Sequence, residues 1–357
     1  GIADCSAFLV AGFGIQDSIS DIVTKQYEEI FNFDAAVTFD TDATVAEKAD
    51  ALQRLQDNAE VEEAIGIGQS AVTVSDDGED SSVTVVVPSD LDDFADFTAL
   101  CHRGDTEQLS LSDDGALITE KLAMNLGLSA GDTLTITDGD GIEREVKIAD
   151  VVENYVGHYL YMSPSYYRTV FEERQTDTAA YLKLSEAGLQ DESALGQQLM
   201  QDEFISSVSF YSGLADTFQD TISSLSFVVV VLVIAAGLLA FVVLYNLTNV
   251  NISERIREIA TIKVLGFYDP EVGSYVFRET IFLTIIGALA GLVLGIGLHS
   301  LIMSLAEMES VMFGRNIDWI SFVISFLITM LFSFVVNLFM YRKLKKVQMV
   351  ESLKSVE

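Results

Sequence analysis

Hydrophobic and polar positions divide the chain into two regimes. Between residues 15 and 220 the apolar residues come in short runs that alternate with polar ones or recur at helical spacing. Alternation predicts strands at Ala35–Phe39, Ala71–Val74, Ser81–Val87, Thr133–Thr137, Glu143–Val152 and Ile205–Phe210. Helical spacing of Val45, Ala49, Leu52 and Leu55 predicts a helix over Ala43–Asn58, and a second over Leu117–Leu126 that stops at Gly127. The turn-rich DDGED and DGDG segments read as hairpin ends. The expected fold of this region is α+β.

Beyond residue 220 the pattern changes. Three stretches run for at least 20 residues without Asp, Glu, Lys or Arg: Leu225–Leu247, Thr280–Leu305 and Trp319–Tyr341. Each is long enough to cross a bilayer, which takes roughly 20 apolar residues. Residues 1–14 (GIADCSAFLVAGFG) are apolar but shorter than that, and read as the outer part of a truncated span. The expected architecture is therefore α-helical in the membrane, one truncated plus three complete transmembrane helices, with a large α+β extracytoplasmic domain. In residue terms this places the truncated helix at 1–14, the acidic domain at 15–220 and spans at 221–249, 280–305 and 319–341. A loop at 250–279, a short outer loop at 306–318 and a basic tail at 342–357 complete the chain.

Charge sharpens the division. The formal net charge is −34, and residues 1–220 hold 10 Lys+Arg against 44 Asp+Glu, whereas the remainder holds 10 of each. So acidic a domain repels nucleic acid and anionic lipid headgroups. Basic residues gather at Arg255, Arg257, Lys263 and Arg278 in the loop and at Arg342, Lys343, Lys345, Lys346 and Lys354 in the tail. Only Arg315 sits between the last two spans, beside Glu307, Glu309 and Asp318. The excess of Lys and Arg marks the cytoplasmic side, so the loop and tail are expected inside and the acidic domain outside, in a multi-pass cell-membrane protein.

Within the spans, Gly287, Gly291 and Gly295 repeat every four residues and share one helix face, where another helix can approach closely. No Asp, Glu, Lys or Arg interrupts the complete spans, which argues against an ion relay. In the acidic domain, Asp138-Gly-Asp140-Gly is followed by Ile142 and Glu143 where an EF-hand needs an acid or amide and then Gly, and a hairpin turn accounts for it. Cys101–His102 are sequence neighbours, a poor arrangement for a nucleophile and its base. Tyr155, Tyr159, Tyr161, Tyr166 and Tyr167 surround His158 and read as a packed satellite core rather than a ligand surface. The chain offers no metal-ligand spacing, no catalytic constellation and no G-x-x-x-x-G-K-[ST] loop, so no cofactor and no enzymatic activity are expected in it.

The loop after the first complete span is the most informative segment. Ile252, Ile256, Ile259 and Lys263 fall on one helical face, and Gly266 followed by Pro270 ends the helix. Taken alone this is an amphipathic helix at the inner membrane surface, either an anchor or a docking element. The run ERIREIATIKVLG, the Gly-rich span after it and the tail RKLKKVQMVESLKSVE resemble the FtsX/MacB-like permease family of ABC transporters. The resemblance covers roughly the last 140 residues, through motif and span order together. It extends more loosely to Leu117–Phe171, and the whole chain is similar to the C-terminal half of a large duplicated permease from Gram-positive bacteria.

That resemblance implies a coupling helix at Ser253–Leu265 that docks on a separate cytoplasmic ABC ATPase. Glu254, Arg255, Arg257, Glu258, Ile259 and Lys263 are then the candidate contacts, with Gly266 letting the chain turn back. It also implies a second permease half or subunit, surrounding membrane lipids and a possible extracytoplasmic protein partner. The implied activity is export or extraction of a lipoprotein, peptide or lipid-like substrate. The alternative is a non-transporting scaffold that activates a cell-wall hydrolase or an antimicrobial-peptide sensor.

Overall fold

The computed structural model describes residues 2–76, 79–255, 258–259, 261–262, 265–306 and 309–345. The chain forms two compact units. One comprises Gly1–Ser20, Thr221–Ala306 and Arg315–Glu357; the other comprises Asp21–Asp220 and Glu307–Gly314.

The acidic unit is built on nine strands: β1 (Ala35–Phe39), β2 (Val61–Asp76), β3 (Glu79–Pro88), β4 (Ala116–Thr119), β5 (Thr133–Thr137), β6 (Glu143–Val152), β7 (Tyr159–Tyr161), β8 (Ala179–Leu184) and β9 (Ile205–Phe210). They run in the order β3-β7-β4-β6-β5-β2-β8-β1-β9, and β2 also pairs with β3. The long β2 makes both arrangements possible. Its first half, Val61–Ile67, pairs with β8, and its second half, Ile67–Asp76, pairs with β3 and at Thr73 with Thr137 of β5. The strands β3, β7, β4, β6, β5 and β2 thereby close into a ring filled by Val72, Val74, Val83, Val85, Ile118, Ile136, Val146, Ile148 and Leu160. Closure removes the exposed strand edges that would otherwise invite pairing with other chains.

The helices of this unit are locally encoded. Thr44 caps α2 (Val45–Gln56) as a reciprocal box: its Oγ1 accepts from Glu47 N (3.3 Å) while the Glu47 carboxylate accepts from Thr44 N (2.7 Å). The short α3 (Leu91–Phe97) starts at Asp90, whose carboxylate accepts from Asp92 N and Asp93 N. Ser163 and Pro164 open α5 (Pro164–Phe171). Gly127, at φ +64°, stops α4 (Glu120–Leu126) in the left-handed region where glycine carries no penalty. The remaining helices are α6 (Glu186–Gln190) and α7 (Glu192–Leu199).

The expected helix over Leu117–Leu126 is half right. Ala116–Thr119 is instead β4, buried at all four positions between β6 and β7, and the helix begins only at Glu120. Ladder pairing inside the ring overrides the local helical periodicity there. The tyrosines around His158 are packed as expected, but they serve two cores. Tyr166 and Tyr167 fill the ring, while Tyr155, Tyr159 and Tyr161 join Phe31, Phe94 and Phe97 in a second cluster.

The other unit is helical: α1 (Ile2–Thr24), α8 (Tyr211–Glu254), α9 (Asp269–Ala306) and α10 (Trp319–Lys345) contribute to it. Ile2–Ile30, Ile281–Ala306 and Trp319–Arg342 are long and apolar enough to cross a membrane, and Val233–Val243 is an apolar stretch within α8. One expectation changes. The first helix does not end at residue 14; it continues to Thr24 and then as a π-helix over Lys25–Ile30. The apolar run gives out at Gly14, but Ser18, Ile22 and Gln26 still repeat every four residues and are all buried, which carries the helix on. Within the short outer loop expected at 306–318, Glu307–Gly314 belongs to the acidic unit.

Candidate coupling segment and helix-packing face

Among the described residues of the segment after α8, Ile259 and Ile262 pack against the helix core. Ile259 is 1% exposed and packs with Cys5, Leu9, Ala236, Val336 and Met340. It sits at the root of the segment, buried against the bundle, whereas the expectation placed it among the docking contacts. Glu254 and Glu258 are exposed and Arg255 is half-buried, so these remain on the accessible side. Arg257 and Lys263 lie outside the described residues. Gly266 has φ +94°, and Phe267 N donates to Ile262 O (3.4 Å), closing the helix end in the manner of a Schellman turn. The following helix α9 is then capped by Glu271, whose carboxylate accepts from Tyr268 N (2.9 Å).

Around that turn stand residues that periodicity did not single out. Leu265, Phe267 and Tyr268 are 72%, 53% and 76% exposed, a compact apolar group flanking Gly266. The available signal was three large apolar residues beside a helix-ending glycine, LGFY, in a loop too short to bury them.

The glycines of α9 meet α1 directly. A methyl on Gly287 would lie 3.0 Å from Ile2 Cγ2; one on Gly291 would lie 2.5 Å from Ser6 Cβ and closer still to Ala3 O; one on Gly295 would lie 2.6 Å from Val10 Cβ. All three glycines therefore permit backbone-to-backbone approach, tightest at Gly291.

A polar stripe accompanies them. On α10, Ser321, Ser325, Thr329 and Ser333 recur every four residues and are buried. Ser321 Oγ donates to Asp17 Oδ2 (2.6 Å). Thr329 Oγ1 donates to Ser325 O (2.9 Å), so Ser6 is the donor in its 2.9 Å bond with Thr329 Oγ1. Ser333 Oγ and Thr284 Oγ1 of α9 lie 3.1 Å apart. Ser18 Oγ donates to Asn316 O (3.0 Å), which leaves it to accept from His299 Nε2 (3.0 Å). Facing outward are Phe282, Leu289, Val293, Leu301, Leu327, Leu331 and Phe334. Small and hydroxyl-bearing residues inside with large apolar ones outside is the arrangement of helices packed in lipid, where burial of apolar surface gives no drive to associate. The stripe was visible in the sequence but was not read from it.

Chemistry in the acidic unit is structural where it can be traced. Asp138 Oδ1 accepts from Asp140 N and Ile142 N, and its Oδ2 accepts from Arg144 Nε (2.8 Å), which closes the β5–β6 hairpin. Burial pushes the Cys101 thiol up, and nearby Asp105 and Glu153 add to it, the opposite of an activated nucleophile. His102 Nε2 lies 3.0 Å from Asp150 Oδ1, whereas Cys101 Sγ donates to Gln108 Oε1 (3.6 Å). Among the described residues no group of three His, Cys, Asp or Glu side chains could hold a metal ion.

The model of the FtsX-like permease C-terminal domain matches residues 220–349, and that of the MacB-like periplasmic core domain matches residues 1–195. No curated protein matches the chain. Among solved structures, the periplasmic region of MacB from Actinobacillus actinomycetemcomitans is 10% identical, covering 53% of this chain and 94% of that one at a TM-score of 0.32. The extracellular domain of the ABC-type transporter YknZ from Gram-positive bacteria is 12% identical, covering 50% and 98%, at a TM-score of 0.31. With one domain model spanning more than half of the residues and the second covering the helical remainder, the chain belongs to the FtsX/MacB-like permease family of ABC transporters.

Proposed function

We propose that this chain is the membrane-spanning permease subunit that couples a separate cytoplasmic ATPase to movement of its acidic domain outside the membrane. The work would serve export or extraction of a lipoprotein, peptide or lipid-like substrate. Permeases of this family work with ATPase partners. The observation that carries the reading is the segment from Ser253 to Tyr268. It is rooted in the helix core by Ile259 and presents Glu254, Glu258, Leu265, Phe267 and Tyr268 to its surroundings. A rigidly rooted segment with an exposed mixed face can pass displacement from a docked protein into the helices it is rooted in. The excess of Lys and Arg on the same side supports a cytoplasmic location for it.

Co-purification with the candidate cytoplasmic ATPase tests this. The unaltered permease should retain the ATPase, and a Leu265→Asp/Tyr268→Asp double variant should insert normally and lose it. Retention of no ATPase by the unaltered permease would contradict the reading. Equal retention by both forms would remove Leu265 and Tyr268 from the docking face.

A further inference from the structure

Three connections lead into the acidic unit: through the end of α1, through the start of α8, and through the segment Glu307–Gly314 between α9 and α10. Within that unit all three end in one place. Ile22, Ile30 and Phe31 from the first, Tyr211 from the second, and Val311, Met312 and Phe313 from the third pack in a single cluster with Tyr155. The ring of Tyr211 lies 5.6 Å from Tyr27, 5.7 Å from Phe31 and 4.7 Å from Phe33.

Two of the connections are also hydrogen-bonded to the same four-residue loop. Gln26, in the π-helix and fully buried, accepts at Oε1 from Tyr155 N (2.8 Å) and Val156 N (3.0 Å), and its Nε2 donates to Asn154 Oδ1 (3.0 Å). Asn154, itself 1% exposed, donates from Nδ2 to Val156 O (2.9 Å) and Gly157 O (3.0 Å). From its other side the loop holds the 309–313 segment. Met312 N donates to Tyr155 O and Gly157 N to Ser310 O, both at 2.8 Å, with Val156 opposite Val311. Asn125 Nδ2 donates to Glu309 O (3.1 Å), and Ser81 Oγ donates to the Glu309 carboxylate. Fully satisfied buried polar networks rigidify the parts they join, since releasing any member strands the others without partners. A single π-turn at a helix end is a feature that recurs at functional positions, and here it sets Gln26 against the loop.

We propose that the loop Asn154–Gly157 is the root through which displacement reaches the acidic domain, with Gln26 and Asn154 as its positioning residues. The loop locks the end of α1 to the 309–313 segment, so the domain turns as one body instead of flexing at either attachment. The transmission role rests on the ATPase-coupled reading above; the locking does not.

The test uses the full chain in lipid nanodiscs and follows amide hydrogen exchange at Gly157, Met312 and, as a remote control, Val37 of β1. Gln26→Ala should speed exchange at Met312 about tenfold, although Gln26 is hydrogen-bonded to Asn154, Tyr155 and Val156 and not to Met312, and leave Val37 unchanged. An unchanged Met312 in that variant would overturn the proposal, whether or not an ATPase binds. A cysteine pair replacing Val156 and Val311 needs no destabilising change. The two face each other between flanking hydrogen bonds, a pairing whose Cα atoms lie about 4.5 Å apart and accept a disulfide. With the ATPase bound, the oxidised pair should keep the full nucleotide-driven movement of the domain. Loss of that movement on oxidation and its return on reduction would show that the root opens in the cycle, and would overturn the proposal.

Discussion

Gly291→Ala is the smallest perturbation that probes the packing of α1 against α9. The added methyl would sit 2.5 Å from Ser6 Cβ and against Ala3 O, so neither neighbour is the free end of a flexible side chain. The helices must separate locally. Overpacking of this kind costs about 1–3 kcal/mol. Separation also strains the Ser6–Thr329 hydrogen bond, whose loss inside a membrane adds on average about 0.6 kcal/mol. The sum is a destabilisation of about 2–4 kcal/mol. Gly297 supplies the control. It lies six residues further along the same helix with nothing within 4 Å of the site a methyl would take. There alanine should stabilise the helix by about 0.5–1 kcal/mol, because glycine loses more freedom on folding. At Gly287 the nearest obstacle is Ile2 Cγ2 at 3.0 Å, a side chain that can shift, so alanine should cost less than at Gly291. Thermal unfolding of the three variants in one detergent ranks them. If Gly291→Ala and Gly297→Ala are equally stable, the packing of α1 on this face is wrong.

Ile259→Ala should destabilise the helical unit by about 2–5 kcal/mol, read by the same thermal assay, because it empties a fully buried site. On α10, Thr329→Val should cost about 0.6–1.7 kcal/mol, whereas Ser325→Ala should be neutral or stabilising, since among the described residues no partner reaches the buried Ser325 Oγ; chemical unfolding of the two variants checks the difference. His158 is buried, and burial holds it below its usual range although the charge and the backbone of Glu309 both oppose the shift. The unfolded chain therefore takes up a proton that the folded one refuses. Stability should be complete above the ordinary histidine value near 6.5 and fall as pH drops from there towards the lowered folded value. A His158→Phe variant should lose that part of the acid sensitivity in pH-dependent unfolding.

Legibility of the fold followed the range of the interactions that made each element. The glycine face of α9 and the helix α2 were readable because residue spacing is a local fact of a helix. The strands β1, β5, β6 and β9 alternate strongly enough to declare themselves. By contrast, β4 carries helical spacing and becomes a strand only through β6 and β7, while β7 is three residues long and is held by a parallel pairing with β3 some 75 residues away. Docking of the 309–313 segment on Tyr155–Gly157 joins parts of the chain about 155 residues apart, and VMFG alone carries no sign of it. The burial of Ile259 in the helix core was not legible, since an amphipathic pattern does not say whether the apolar side meets lipid, a partner or the protein's own core. Leu265, Phe267 and Tyr268 were passed over because they lie at the turn, outside any period.

The central claim is that ATP turnover in a separate subunit moves the acidic domain through the segment rooted by Ile259. Its most direct test is energy transfer from a fluorophore on Asp105→Cys, an exposed turn position, to acceptor-labelled lipids, with Cys101→Ser removing the native half-buried thiol. The permease–ATPase complex in nanodiscs should show a transfer efficiency that changes with ATP and returns when ATP is exhausted, and the Leu265→Asp/Tyr268→Asp variant should show no change. A constant efficiency while the bound ATPase hydrolyses ATP would contradict the account.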